Sequence, residues 1–168
     1  MTPPAGARAV RFERLYALAR DPLARYLARR AAPDAVEDLF AEVMTVAWRR
    51  IDDVPQDGEI AWTYGVARKV LANHRRSASR FGRLLERLAL TTPREEGSTA
   101  DVAGDPDVDL GAAMARLSAA DAEVLRLWAW ESLTPAEIAV TLGISPNAAS
   151  IRLHRAKGRL RAHLEDDS

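Results

Sequence analysis

The sequence predicts an all-α fold of two small helical domains joined by an acidic linker. Apolar residues recur at three- and four-residue spacing in several segments, and no stretch alternates apolar and polar residues as a strand would. One stretch, residues 89–111, breaks the helical pattern and is rich in Pro, Gly, Ser, Thr and Asp. We therefore predict an N-terminal domain over residues 8–88, a flexible linker over 89–111 and a C-terminal domain over 112–165.

The amino-acid composition excludes several kinds of site and several classes of protein. Cysteine is absent, which excludes disulfides, thiolate metal sites and cysteine nucleophiles. His74, His154 and His163 are scattered without metal-ligand spacing, so we predict no metal site and no cofactor. No apolar run reaches the length of a membrane span, and the N-terminal segment lacks the apolar core of a secretion signal. We expect a soluble cytoplasmic protein without membrane insertion.

The net charge is zero, but the basic and acidic residues are distributed unevenly along the chain. Residues 1–88 contain 16 basic and 11 acidic residues, residues 89–111 contain one Arg and six acidic residues, and residues 112–168 contain seven of each. Proteins that bind duplex DNA alone are usually clearly basic, so we expect any nucleic-acid binding to need a partner. The acidity of the linker also has a plainer explanation, because like charges keep a segment solvated and unfolded.

The first well-marked helix is predicted over residues 35–51, with Asp34 as its N-cap. One stripe of this helix is apolar and faces the core, whereas Asp38 and Glu42 point away from it. Trp48 also lies on the mostly polar outer face. We expect either a neighbouring helix or a partner protein to cover this indole, with the neighbouring helix favoured.

The next helix, predicted to start near Glu59, carries a basic and aromatic face. The candidate nucleic-acid-binding residues on it are Trp62, Lys69, Asn73, Arg75, Arg76 and Arg80. Such a face suits single-stranded DNA, because bases stack on aromatic rings while cations hold the phosphates. The alternative is a solvated amphipathic helix with Trp62 in the core, and the sequence leaves both possibilities open.

The C-terminal domain contains the pattern of a helix-turn-helix. Residues 134–137 (Thr-Pro-Ala-Glu) are a capping box with proline at the first helical position, and the helix is predicted to stop at Gly143. Ser145 then caps a second helix that again begins with proline. Two short helices joined by a glycine turn are typical of a DNA-binding helix-turn-helix. Trp128 and Trp130, just before the motif, are predicted to be packing residues.

The second helix of this motif presents a basic face. Between Ser150 and Leu164 there are five basic residues and no acidic residue. An outward Ile151 fits a major groove, where it can touch a thymine methyl while His154 and Arg155 reach base edges or phosphates. A helical hairpin with a solvated basic face is the alternative. The candidate DNA-binding residues are Ser150, Ile151, Arg152, His154, Arg155 and Lys157.

These segments, in this order, resemble sigma factors of the extracytoplasmic-function (ECF) class, the small subunits that direct bacterial RNA polymerase to promoters. Residues 34–50 (DAVEDLFAEVMTVAWRR) resemble the helix that binds core polymerase, and residues 61–80 (AWTYGVARKVLANHRRSASR) resemble the promoter-melting and minus-ten helix. Residues 117–164 resemble the fourth conserved region, which recognises the minus-thirty-five element. The resemblance implies a chain that binds core RNA polymerase and promoter DNA, catalyses no reaction and is controlled by an anti-sigma factor.

The resemblance also implies roles for single residues. Asp38 and Glu42 match the acidic positions that dock on the largest subunit of the polymerase, and Trp48 joins them as a candidate for polymerase contact. The basic faces of the two DNA-binding helices match the segments that contact the minus-ten and minus-thirty-five elements, with Arg152 in a supporting position. Residues 148–151 (Ala-Ala-Ser-Ile) depart from the usual run, which indicates a different minus-thirty-five sequence preference.

Three other functions fit parts of the pattern: a stand-alone helix-turn-helix regulator, an enzyme, and a polymerase adaptor that never touches DNA. Residues 34–80 look like a docking and melting module rather than a pocket for a small-molecule substrate. The sequence shows no nucleophile–base pair and no phosphate-binding loop, and the recognition helix argues against the adaptor.

The predicted linker over residues 89–111 averages about 27 Å from end to end as a flexible coil. We therefore expect the two domains to sit apart on the promoter, on DNA elements that are about 70 Å from each other.

Overall fold

The computed structural model describes residues 5–88 and 106–166, and these ranges consist of helices and short connections with no strand. The helices are α1 (Ala5–Ala28), α2 (Val36–Arg49), α3 (Glu59–Leu88), α4 (Pro106–Ala115), α5 (Ala119–Ala129), α6 (Pro135–Leu142) and α7 (Pro146–Asp166). The prediction of an all-α fold is confirmed. Among the described helices, not one combines the length and apolarity that crossing a membrane requires.

Helices α1 to α3 pack against one another, and we call them the N-terminal unit. Their core contains Leu23 and Leu27 of α1, Val43 of α2 and Ala67 of α3, all fully buried. The ring of Tyr26 stacks on that of Tyr64 at 4.7 Å between α1 and α3. Burial raises the pKa of Tyr64 to about 12, and it raises the pKa of Tyr26 further, so both phenols are neutral at physiological pH.

The start of α2 differs from the sequence-based prediction. Pro33, Asp34 and Ala35 form a 3-10 turn, and Ala35 is the N-cap of α2 without a side-chain hydrogen bond. The predicted capping role of Asp34 is therefore wrong. Because Pro33 already has the φ angle that a helical turn needs, it begins the turn one residue before Asp34 and leaves that carboxylate inside it.

Helices α4 to α7 form the C-terminal unit, and its helix-turn-helix agrees with the prediction. The Thr134 side chain accepts from the Glu137 N–H, and the Glu137 carboxylate accepts from the Thr134 N–H at 2.8 Å, which completes the capping box. Gly143 ends α6 at a φ of +66°, a conformation in which a Cβ would be strained. The Ser145 hydroxyl then accepts from the Ala148 N–H at 3.1 Å at the start of α7.

We expect Thr134→Ala to destabilise the fold by about 1 kcal/mol, because it leaves the Glu137 N–H at the start of α6 without its side-chain acceptor. Urea unfolding followed by circular dichroism measures this difference. Thr134→Ser is the matched control, since its hydroxyl can make the same bond, and it should stay close to the parent chain. Equal loss in both variants would contradict the capping explanation.

Part of the predicted linker is helical. Residues 89–105 lie outside the described ranges, but residues 106–111 form the first turns of α4. Pro106 occupies the first helical position, where its missing N–H costs nothing. Further along the helix, Ala113 is fully buried and its carbonyl oxygen lies 3.2 Å from Nδ1 of His163 in α7. Packing against α7 therefore extends the C-terminal unit towards the linker.

The two units also pack against each other, which the sequence did not predict. One continuous hydrophobic cluster runs from α1 and α3 into α5, α6 and α7. It joins Leu27 and Leu71 of the N-terminal unit to Leu127 and Ile138 of the C-terminal unit. In this structure the two groups of helices therefore share one core.

Candidate nucleic-acid interface

The middle of α3 presents the basic face that the sequence predicts. All its cations and its amide are exposed to solvent: Lys69, Asn73, Arg75, Arg76 and Arg80. The side-chain amide oxygen Oδ1 of Asn73 accepts a hydrogen bond from Arg76, and the backbone carbonyl oxygen of Arg76 accepts one from Arg80 Nε at 3.4 Å. Arg75 donates to the carbonyl oxygen of Arg30 at 3.1 Å. The first two bonds link Asn73, Arg76 and Arg80 along one side of the helix, where a phosphate backbone could follow them, whereas the third holds Arg75 towards the segment after α1.

Trp62 agrees in part with each of the two alternatives, a DNA-binding residue and a core residue. Its indole is half-buried at the start of α3 and packs against the hydrophobic core. The Arg50 guanidinium lies 5.6 Å from the ring centroid, within the range of a cation–π interaction. Part of the ring is thus core, and the rest remains accessible at the end of the basic face.

A cavity beside this region was not anticipated from the sequence. It has a volume of about 590 Å³ and opens between α1 and the loop that precedes α3. Arg11 and Arg14 of α1 line it together with Gln56 and Glu59. Arg14 forms an ion pair of 3.7 Å with Glu59. Sequence reasoning missed the two arginines because only the packing of α1 against α3 brings them to this loop.

The outer face of α7 agrees with the predicted recognition helix. Ser150, Ile151, His154 and Arg155 are exposed together, and the Ile151 side chain is 45% exposed amid polar and basic neighbours. The opposite stripe is buried: Ala149, Leu153 and Ala156. An apolar side chain held outward beside basic ones is the arrangement that contact with a base methyl group requires.

Two of the predicted DNA-binding residues lie at the edges of this face. Arg152 is half-buried and lines a cleft between the two units. Lys157 is also half-buried, and its Nζ lies 3.5 Å from the centroid of the Trp128 ring. The structure therefore brings four of the six predicted residues together on the open face and turns these two towards the protein.

The prediction that Trp128 and Trp130 are packing residues is wrong. Their side chains are 43% and 47% exposed. Lys157 covers one face of Trp128, and the guanidinium groups of Arg29 and Arg126 each lie 5.8 Å from the Trp130 ring. Trp130 is the C-cap after α5 and lies opposite the buried stripe of that helix. Trp128 shares the side of Val124 and Leu125, but it lies in the last turn, where Lys157 of α7 meets its ring.

The outer face of α2 carries the remaining candidates. Asp38 and Glu42 are exposed one helical turn apart. Trp48 is 43% exposed, and Phe12 of α1 meets its ring edge-on at 5.4 Å. The Arg8 guanidinium lies 5.8 Å from the same ring. A neighbouring helix thus covers part of Trp48, as the sequence favours, and the rest of the residue stays exposed to solvent.

The two basic faces border a common cleft. Lys69 and Arg75 of α3 line it from one side, and Arg126 and Arg152 line it from the other. Its volume is about 710 Å³. Within the described ranges there is no group of three His, Asp or Glu side chains that could hold a metal ion.

The chain is similar in sequence to known proteins. Residues 107–160 match the family model for region 4 of sigma-70. Over 167 residues the chain is 31% identical to the ECF RNA polymerase sigma factor SigL of Mycobacterium tuberculosis, covering 96% of this chain and 93% of the relative.

Two solved structures share the fold. The sigma factor RpoE from Bartonella quintana, in complex with the anti-sigma factor NepR, has a TM-score of 0.61 and 21% identity, over 94% of this chain and 98% of that one. CnrH, in complex with the cytosolic domain of CnrY, has a TM-score of 0.60 and 24% identity, over 94% of this chain and 89% of that one. The similarity to SigL extends over nearly the whole length of both proteins, and on that ground the chain belongs to the ECF sigma factors of RNA polymerase.

Proposed function

We propose that the chain binds core RNA polymerase through the outer face of α2 and directs it to promoters through the basic faces of α3 and α7. The observation that carries the proposal is the pair of exposed basic helix faces in a chain related to SigL over 96% of its length. On α2, the exposed Asp38, Glu42 and Trp48 combine charge with an accessible aromatic ring, which is typical of a protein-binding surface.

The α3 face would hold the minus-ten element as single-stranded DNA. Lys69, Arg75, Arg76 and Arg80 supply phosphate contacts along the helix, and the accessible part of Trp62 supplies a surface on which a base can stack. Asn73, which accepts from Arg76, keeps that guanidinium beside the row. Binding and positioning account for the whole proposed action, so we infer that the chain itself catalyses no reaction.

The α7 face would enter the major groove at the minus-thirty-five element. Ile151, His154 and Arg155 point outward from the middle of the helix, and Ser150 precedes them on the same face. Arg152 and Lys157 are half-buried at the edges of this face, and we propose that their exposed parts contact the DNA backbone. We propose that the N-terminal unit and the C-terminal unit, which begins with α4 at Pro106, act as two domains in this complex.

Control by an anti-sigma factor is a further part of the proposal. RpoE of Bartonella quintana, which shares the fold, is bound to the anti-sigma factor NepR in its structure. CnrH, the other protein with this fold, is in complex with the cytosolic domain of CnrY in its structure. A chain that acts on polymerase and DNA would work in the cytoplasm, and a protein that covered α2 or the basic faces there would silence it.

In vitro transcription with core polymerase and genomic DNA tests the proposed function. We expect specific transcripts only when the chain and core polymerase are both present. The free chain, whose net charge is zero, should bind duplex DNA weakly and with a strong dependence on salt concentration. Tight, sequence-specific duplex binding without core polymerase, together with no specific transcripts, would instead support a stand-alone regulator.

A further inference from the structure

The cleft between the two units is strongly cationic. Seven Arg and Lys side chains line it, five from the N-terminal unit and two from the C-terminal unit. Among the described residues on its walls, Glu123 is the one acid, whereas Glu131 reaches two of the arginines from outside the lining. The cleft has a volume of about 710 Å³, which is within the range of pockets that hold small organic ligands. Its charge therefore suits a ligand with several negative charges.

Several of these cations have no acidic partner. No carboxylate in the described part of the chain forms an ion pair with Arg68, Lys69 or Arg152. Arg75 donates to the carbonyl oxygen of Arg30, which is an uncharged group. Like charges that line one cleft repel one another, and the repulsion is stronger where water is partly excluded. An anion in the cleft would relieve this repulsion.

Arg30 gives the clearest indication of a missing acceptor. It lines the cleft, and its side chain is only 6% exposed. Its Nη1 donates to the Glu131 carboxylate at 2.8 Å and to the carbonyl oxygen of Tyr26 at 3.2 Å. Its Nε and Nη2 are also buried, yet neither has a hydrogen-bond partner among the described residues, and Glu123 Oε1 lies 3.6 Å from Nη2. Buried N–H groups without an acceptor are rare because each costs free energy, so these donors fit an anionic oxygen supplied by a ligand.

The first turn of α5 adds backbone donors to the same cleft. Ala119 and Ala120, the first two residues of this 11-residue helix, are part of the lining. The Ser118 hydroxyl accepts from the Asp121 N–H at 3.1 Å, so the cap does not use the N–H groups of the two alanines. Such N–H groups have no partner within their helix, and the helix dipole favours an anion beside them. Phosphate groups bind at helix starts of this kind.

An aromatic ring in the lining can receive a base. Trp130 is 47% exposed and lines the cleft. The guanidinium groups of Arg29 and Arg126 each lie 5.8 Å from the centroid of its ring. Nucleobases stack on tryptophan rings, and arginines bind phosphate oxygens through charged hydrogen bonds. The cleft thus combines the two features that recognition of a nucleotide requires.

Contact with promoter DNA would account for only part of this cleft. Lys69, Arg75 and Arg152 belong to the basic faces that are proposed to contact DNA. Arg29 and Arg30 belong to neither face. Arg30 is almost fully enclosed by protein, so a duplex lying across the surface would not reach it. A ligand small enough to enter the cleft accounts for both groups of cations.

We propose that this cleft binds a nucleotide with several linked phosphate groups, such as a nucleoside triphosphate. The phosphates lie among Arg30, Arg68 and Arg126, beside the first turn of α5, and the base stacks on Trp130. The binding is non-covalent and needs neither polymerase nor DNA. The site therefore goes beyond the proposed function, and each of the two can fail without the other.

A calorimetric titration of the full chain with ATP, in a buffer without divalent cations, tests the site. We expect saturable binding of one ATP per chain. Arg68→Gln/Arg126→Gln should weaken this binding by about tenfold or more, because two charged donors to the phosphates are lost. The matched control, Arg49→Gln/Arg161→Gln, removes two exposed positive charges outside the cleft and should bind ATP as the parent chain does. No saturable binding to the parent chain, or equal weakening in both double variants, would overturn the site.

Nuclear magnetic resonance of the unsubstituted chain locates the ligand without relying on any variant. We expect ATP to shift the backbone amide resonances of Ala119 and Ala120, which line the cleft. The resonance of Ala148, in the first turn of α7 and outside the cleft, should stay in place. Shifts confined to the outer face of α7 would mean that ATP binds elsewhere, and they would overturn the proposal.

Two further ligands distinguish a nucleotide from a free chain of phosphates. Tripolyphosphate has linked phosphates and no base, whereas adenosine has the base and no phosphates. Adenosine alone should bind far more weakly than ATP. Trp130→Ala should weaken the binding of ATP by about fivefold or more and leave that of tripolyphosphate unchanged. If Trp130→Ala has no effect on ATP, the base is not bound, and the cleft is a site for inorganic polyphosphate instead of a nucleotide.

Discussion

Arg155→Ala is expected to reduce promoter-specific transcription by roughly 5- to 150-fold while leaving the affinity for core polymerase unchanged. The range corresponds to the roughly 1–3 kcal/mol that one good contact between a side chain and a base edge contributes. Arg155 is exposed in the middle of the open α7 face, beside His154, and belongs to the most accessible part of the proposed recognition surface. Its removal should not disturb the core, because the buried stripe of α7 lies on the opposite side.

Run-off transcription from one promoter and a core-binding titration, made side by side, measure this prediction. Arg161→Ala is the control on the same helix, since Arg161 is also exposed but lies six residues further on. It should cause at most a small loss that is equal for all promoters. If Arg155 contacts a base, its variant should also tolerate a changed base at one position. An equal loss of transcription from all promoters would indicate that Arg155 contacts a phosphate instead of a base. Loss of binding to core polymerase would show that α7 does not have the proposed role in DNA recognition.

Reversing the two acidic charges on α2, as Asp38→Arg/Glu42→Arg, is expected to weaken binding to core polymerase by about a hundredfold. Exposed acidic residues at a docking surface imply a basic partner surface, and each reversal replaces attraction by repulsion worth about 1.4 kcal/mol. Both side chains are exposed, so the fold should keep its stability. A titration of labelled chain with core polymerase at two salt concentrations measures the effect, which should shrink as salt rises.

The matched control for this experiment is Glu165→Arg, which reverses an exposed carboxylate at the far end of α7. It should bind core polymerase as the parent chain does. A separate substitution, Trp48→Ala, tests the aromatic part of the same surface, because Trp48 is 43% exposed. Equal affinity of the double variant and the control would remove α2 from the proposed docking surface.

Local sequence patterns predicted the helix-turn-helix closely. The capping box at Thr134 and Glu137, the left-handed glycine at 143 and the serine cap at 145 all depend on residues at most a few positions apart. Their hydrogen bonds form within one turn, so the identity of the residues is enough to predict them. The alternation of buried and exposed positions along α7 followed for the same reason, since helical rotation alone assigns each residue to a face.

The predictions that failed were those that depend on what a helix packs against. Trp128 and Trp130 were assigned to the core by size and hydrophobicity, yet Lys157, Arg29 and Arg126 lie over their rings at the surface. Residues 106–111 looked like linker by composition, but α4 continues through them and packs on α7. Neither outcome can be derived from local pattern, because each requires the position of a residue far away in the chain.

The sequence alone thus determined the all-α class, the helix-turn-helix and the two exposed basic faces, because helix formation, capping and amphipathicity are decided within a few residues. Only the tertiary structure showed that the two units share one core, with Thr141 bonded to Ala61 and Arg30 buried against Glu131. Those pairs are separated by 80 and 101 positions in the chain. Whether such distant groups meet depends on the shape, burial and charge of whole surfaces, which no local pattern contains.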